Sequence, residues 1–111
     1  MAVKHRVTRR VALRLPLDVT YEGRYLGCFE TRDIDADGAF LKTGGRRLPE
    51  NTVLELAFRA PERSGGVSRM KAVVARSTRD GVGVWFTLWD SADSFGRLND
   101  MIGRSRQEHS R

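Results

Sequence analysis

The chain has 111 residues and a mass of 12.5 kDa, with twenty Lys or Arg against fourteen Asp or Glu and a formal net charge of +6. That length supports one domain able to bury roughly two-thirds of its surface in a single core, and 40% hydrophobic residues exclude disorder along the whole chain. A lone cysteine, Cys28, excludes an intramolecular disulfide and a CxxC metal or redox motif and fits a reducing compartment.

From Leu13 to Tyr21 apolar residues alternate with Arg14, Pro16, Asp18 and Thr20, the period-2 pattern of a half-buried strand. Glu22-Gly23 then reads as a two-residue hairpin turn, with Tyr25 to Arg32 as the returning strand. A short strand over Ala39 to Lys42 precedes a loop punctuated by Gly44-Gly45 and Pro49, and Val53, Leu54, Leu56 and Phe58 mark a fourth strand. Pro61 to Gly66 forms a turn-rich linker, Met70, Ala72 and Val74 share one face of a fifth strand, and Asp80-Gly81 closes a hairpin. In the sixth strand Val82, Val84, Phe86 and Leu88 form the inner face, while Trp85 and Trp89 share the outer one, either as a partner-binding patch or packed under the C-terminal helix. The period then changes: Phe95, Leu98, Met101 and Ile102 recur at helical spacing behind Asp90 or Ser91 as N-cap, with Gly103 placed to end the helix. The predicted fold is all-β with one C-terminal helix, an antiparallel barrel or sandwich of five or six strands. The longest uncharged apolar-rich stretch of the C-terminal third, Gly81 to Trp89, falls far short of the ~20 residues that span a bilayer, and no apolar core follows the N-terminal basic residues as in a secretory signal. A cytoplasmic protein without membrane insertion is expected.

Charge is concentrated at one place. Residues 1–14 carry Lys4, Arg6, Arg9, Arg10 and Arg14 with no carboxylate, +5 of the total +6. Arginine forks pair bidentately with phosphate and with the guanine edge, so this arm suits an anionic ligand, although a solvated basic tail accounts for it equally well. A second cluster, Asp33-Ile34-Asp35-Ala36-Asp37-Gly38, matches the first half of a calcium loop, but the position of its bidentate Glu is Gly44, which leaves a self-satisfied Asx turn as the plainer reading. His5 and His109 stand near the two ends, too isolated for a triad or metal cluster, and no Ser or Cys has a base at a recognisable spacing. No catalytic site and no metal or cofactor is expected.

Together these segments resemble the PilZ domain family of bacterial cyclic di-GMP receptors. Arg9-Arg10-Val11-Ala12-Leu13-Arg14 looks like the family's RRxxxR arm, Asp33 to Gly38 like its [DN]xSxxG turn, and Gly81 to Phe86 like its GxGVxF strand. The resemblance implies a six-stranded antiparallel PilZ-type β-barrel with a C-terminal helix over residues 9–103; a flexible basic arm is expected at 1–8 and, from Arg104, Ser105, Arg106, Ser110 and Arg111, a disordered polar tail at 104–111. It also implies that Arg10 and Arg14 grip phosphates and guanine edges with help from Arg9, that Asp33 accepts from guanine N–H groups, and that Gly38 lets the backbone approach closely. Asp35 stands where the family has serine; it is included in the site, as an acceptor for guanine N–H or a competitor for Arg10 or Arg14. Arg76, at the end of the fifth strand, either stacks on a base or is an ordinary exposed arginine. The expected function is a cyclic di-GMP effector that acts through an unidentified protein partner, as monomer or homodimer. The alternatives are a degenerate PilZ adaptor that no longer binds nucleotide and a small-barrel binder of a nucleic-acid polymer, the latter disfavoured by the confinement of excess charge to one arm and by few exposed aromatics.

Overall fold

A computed structural model of the chain describes residues 10–59 and 66–109. Residues 1–9, with the first part of the basic arm, His5 and Arg9, and 60–65, with most of the expected linker, lie outside the described residues, as do 110–111. Six strands and a helix follow in chain order: β1 Pro16–Tyr21, β2 Arg24–Ile34, β3 Gly38–Lys42, β4 Val53–Arg59, β5 Val67–Ser77, β6 Gly81–Trp89 and α1 Ala92–His109. The strands close into a barrel in the order β1-β2-β3-β6-β5-β4, with every neighbouring pair antiparallel.

Alternation decides which side chains fill the barrel. Leu17 and Val19 of β1 point inward between exposed Pro16 and Asp18, and Leu54, Leu56 and Phe58 of β4 do the same. The β1–β2 hairpin turns on Glu22 and Gly23, both at positive φ (49° and 79°), the pairing whose twist suits a two-residue connection. The predicted first strand is shorter than expected. Leu13 and Leu15 keep the alternation, but their backbone runs along β2 by an isolated bridge from Val11 to Ile34 and by hydrogen bonds at Thr31.

Bulges redirect side chains, among them one in β2 and one in β6. In β2, Thr31 faces Leu41 and Asp33 faces Phe40, so Arg32 is the extra residue and emerges on the same outer surface as Asp33. In β6, Leu88 faces Lys71 and Phe86 faces Ala72, which leaves Thr87 unpaired and turns Leu88 outward, 58% exposed, against the inward position expected from strict alternation. Trp89 consequently does not share an outer face with Trp85. It turns beneath the helix, edge-on to Phe86 at 5.6 Å and to Phe95 at 5.4 Å between ring centroids.

Ser91 caps α1, its Oγ accepting the Ser94 N–H at 3.1 Å. The buried stripe of the helix runs through Ser94, Leu98, Ile102 and Ser105, so Phe95, expected in the core, sits at its flank. Gly103 does not end the helix, which continues to His109 and makes most of the tail expected to be disordered helical. A mid-helix glycine costs only about 1 kcal/mol relative to alanine, less than the packing on both sides of it supplies.

Candidate functional site

The site is built on the turn that joins β2 to β3. Asp35 donates its N–H to the Gly38 carbonyl at 2.9 Å, and its Oδ1 accepts the N–H groups of Asp37 at 2.8 Å and Gly38 at 3.0 Å. The turn is tied to β6 by the Phe86 N–H, which donates to the Asp37 carbonyl at 2.8 Å. A Cβ on Gly38 would stand 2.2 Å from the Val84 carbonyl oxygen, so at this position only glycine lets β3 approach β6.

The arm reaches this turn along β2. Val11 and Ile34 exchange backbone hydrogen bonds at 2.9 and 3.0 Å, and buried Thr31 accepts the Leu15 N–H while its hydroxyl donates to the Leu13 carbonyl. Arg10 is thereby held over the acidic turn. Its Nη1 donates to Asp33 Oδ1 at 2.9 Å, and its Nε lies 3.6 Å from Asp35 Oδ2. Arg32, brought outward by the bulge, donates from Nε to Asp33 Oδ2 at 2.8 Å and stacks 4.0 Å above the Phe40 ring.

Beside this cluster opens a cavity of about 720 Å³ whose walls include Arg10, Arg32, Asp33, Phe40, Arg76 and Trp85. Gly83, the register partner of both Phe40 and Arg76, leaves its floor low. Arg76 therefore lies with Arg10 and Asp33, whereas Asp35 and Gly38 shape the turn behind the cavity and exposed Arg14 does not line it. Arg9 lies outside the described residues. Sequence reasoning overlooked Arg32, Phe40 and Thr31 and assigned Trp85 no part in the site; for Trp85 the GxGVxF strand beside the turn was a usable signal, whereas the Arg32 position depends on a bulge no periodicity reveals. A smaller cavity of about 260 Å³, bordered by Thr20, Ala57, Lys71 and Leu88, lies elsewhere on the barrel and gathers none of these groups.

The model of the PilZ domain family matches residues 4–103. The chain belongs to the PilZ domain family. No functionally curated protein sequence matches it. Among solved structures, this PilZ domain is similar to the Bacillus subtilis inhibitor of motility MotI/DgrA, with a TM-score of 0.76 and 18% identity over 96% of the chain, which spans 54% of that protein. It also resembles the PilZ domain of CeSA from a cellulose-synthesising bacterium, with a TM-score of 0.68 and 18% identity over 86% of the chain and 98% of that domain. A third relative in structure is an uncharacterised Legionella protein, with a TM-score of 0.55 and 17% identity over 93% of the chain and 99% of that protein. At these identities the likeness carries the fold.

Electrostatics tie the PilZ turn to the arm. Burial pushes the Asp33 carboxyl upward, but hydrogen bonds from Arg32 and Arg10 and the charges behind them outweigh it and hold the group below the usual aspartate value of 3.8. A carboxyl depressed in the folded state contributes stability that is complete above its unfolded value and is lost as pH falls through the folded one. Asp33→Asn is thus expected to lower stability at neutral pH by less than about 1 kcal/mol, because these pairs are partly exposed, and to flatten the loss of stability below about pH 4. Urea unfolding at several pH values measures this; parallel profiles for both proteins would show that the pairs contribute nothing. Among the described residues no group of three or more His, Cys, Asp or Glu could hold a metal ion, and no helix is long and apolar enough to cross a membrane.

Proposed function

We propose that this PilZ domain is a cytoplasmic receptor for cyclic di-GMP that has no reaction of its own, needs no metal or cofactor, and signals by ligand-dependent contact with a protein partner. The observation that carries this reading is the convergence, around one cavity, of Arg10, Arg32 and Arg76 with the acceptor Asp33 and the 45% exposed Trp85. A doubly charged ligand with two purines needs cationic forks for its phosphates, an acceptor for guanine N–H donors and flat surfaces for its bases. Arg14, four residues farther along the extended arm, supplies a further fork when the arm folds over the ligand, and Arg9 precedes the fork that Arg10 presents. Because the arm is fastened to β2 at only a few backbone groups, its rearrangement changes the surface that a partner meets. Two similar structures, an inhibitor of motility and the PilZ domain of CeSA from a cellulose-synthesising bacterium, support motility or polysaccharide synthesis as the kind of output.

One observation favours the adaptor reading, in which the chain binds its partner constitutively: Arg10 is already engaged by two carboxylates. Calorimetric titration separates the two. Cyclic di-GMP is expected to bind with one or two molecules per chain, and Arg10→Ala and Arg14→Ala are each expected to weaken it at least tenfold, since one charge-assisted hydrogen bond contributes about 1.5–3 kcal/mol. A flat titration of folded protein would leave the adaptor.

A further inference from the structure

We infer that Asp35 sets the affinity of the site: its second carboxylate oxygen holds Arg10 in the ligand-free chain, so that any external anion must compete for that guanidinium. The inference rests on the receptor reading and concerns how strongly that receptor binds. The turn itself requires only one acceptor. Oδ1 of Asp35 already receives the N–H groups of Asp37 and Gly38, a task that a neutral oxygen performs equally well. The carboxylate adds what a neutral side chain lacks, a second, anionic oxygen, and that oxygen lies 3.6 Å from Arg10 Nε while Asp33 Oδ1 takes Nη1 at 2.9 Å. The Arg10 guanidinium is therefore already paired with two internal carboxylates, by a hydrogen bond to Asp33 and by a longer ion pair to Asp35, whose side chain has no solvent exposure.

Such a neighbour is a strong competitor. A fully buried carboxylate that gives up a cationic neighbour loses an attraction that water does not replace, and this penalty opposes every ligand that draws Arg10 away. The serine of the family pattern would impose no such penalty. A ligand that needs Arg10 released sees an affinity reduced in proportion to the released fraction, so Asp35 raises the ligand concentration at which the domain responds. Arg32, on the same cavity, pairs with Asp33, and the competition from Asp35 acts on Arg10, the arginine that links arm, turn and cavity.

Asp35→Asn tests this with little change of shape, because it keeps Oδ1 for the turn and replaces Oδ2 by a group that cannot accept from Arg10. Calorimetry is expected to give about tenfold tighter cyclic di-GMP binding for Asp35→Asn than for the unaltered chain, equivalent to about 1.4 kcal/mol. The gain should vanish when Arg10→Ala is combined with it, an outcome that a purely structural role of Asp35 would not produce. Independently of any variant, NMR on the unaltered protein should show the Arg10 Nε–H exchanging with solvent more slowly than that of exposed Arg14. Equal exchange at the two arginines, unchanged or weaker binding by a folded Asp35→Asn chain, or a gain that persists without Arg10 would each overturn the inference. Inorganic pyrophosphate serves as a second probe: if Asp35→Asn tightens its binding while cyclic di-GMP gives no heat with either protein, the competition stands and the receptor reading falls.

Discussion

Gly38→Ala is expected to lower the stability of the domain by about 3 kcal/mol, at the upper end of what overpacking costs, and to lower Tm by roughly 15 °C for a chain of this size. The added methyl would lie 2.2 Å from the Val84 carbonyl oxygen and 3.4 Å from the Trp85 Cα, both backbone atoms of β6. Neither can rotate aside, because Gly38 pairs with Trp85 and Ala39 with Val84 in the β3–β6 ladder. Relief requires the two strands to part where the Phe86 N–H anchors the turn, and that movement carries Asp35 and the cavity wall at Trp85 with it. Gly96 provides the contrast. It lies within α1 with nothing within 4 Å of a would-be Cβ, so Gly96→Ala is expected to add roughly 0.5–1 kcal/mol. Thermal and urea unfolding measure both. A Gly38→Ala chain as stable as the parent would show that the ladder opens without cost.

The pattern of the chain made the barrel legible because burial inside a closed sheet imposes period 2 on regular strands, and β1, β4 and β5 as far as Val74 obey it. The hairpin at Glu22-Gly23 was legible for an equally local reason, the positive φ its twist demands. What escaped were departures of a single residue. The Thr87 bulge exchanges the roles of Leu88 and Trp89, and the Arg32 bulge puts a cation beside Asp33; each depends on a partner strand whose register the local pattern does not contain. The helix end escaped because Gly103 reads as a stop, whereas burial of Ile102 and Ser105 on either side carries the helix through it. In the candidate site, motif order singles out Arg10, Asp33 and Gly38, and the structure places all three at one turn. Their mutual engagement was not foreseeable in detail, since which carboxylate an arginine meets depends on how the arm is fastened.

That fastening rests on Thr31, and Thr31→Val is expected to cost about 2 kcal/mol and to weaken cyclic di-GMP binding roughly tenfold if the receptor reading holds. Thr31 has no solvent exposure; its hydroxyl accepts the Leu15 N–H at 2.9 Å and donates to the Leu13 carbonyl, while its own N–H donates to the Leu15 carbonyl at 3.0 Å. Valine keeps the branched shape but leaves one backbone donor and one acceptor without a partner, each worth about 1–3 kcal/mol when buried, with part recovered by water at the barrel rim. The bridge between Val11 and Ile34 and the Thr31 N–H bond to the Leu15 carbonyl then have to hold the arm, and Arg10 and Arg14 spend less time where a ligand would meet them. Thr31→Ser discriminates packing from fastening: it loses a methyl group, at about 1 kcal/mol, but keeps both hydrogen bonds and is expected to bind nearly as the parent does. Unfolding measurements combined with calorimetry on the two variants decide the matter. A valine variant that is destabilised yet binds as tightly as the parent would place the anchor of the arm at Val11 and would make the hydroxyl a matter of stability alone.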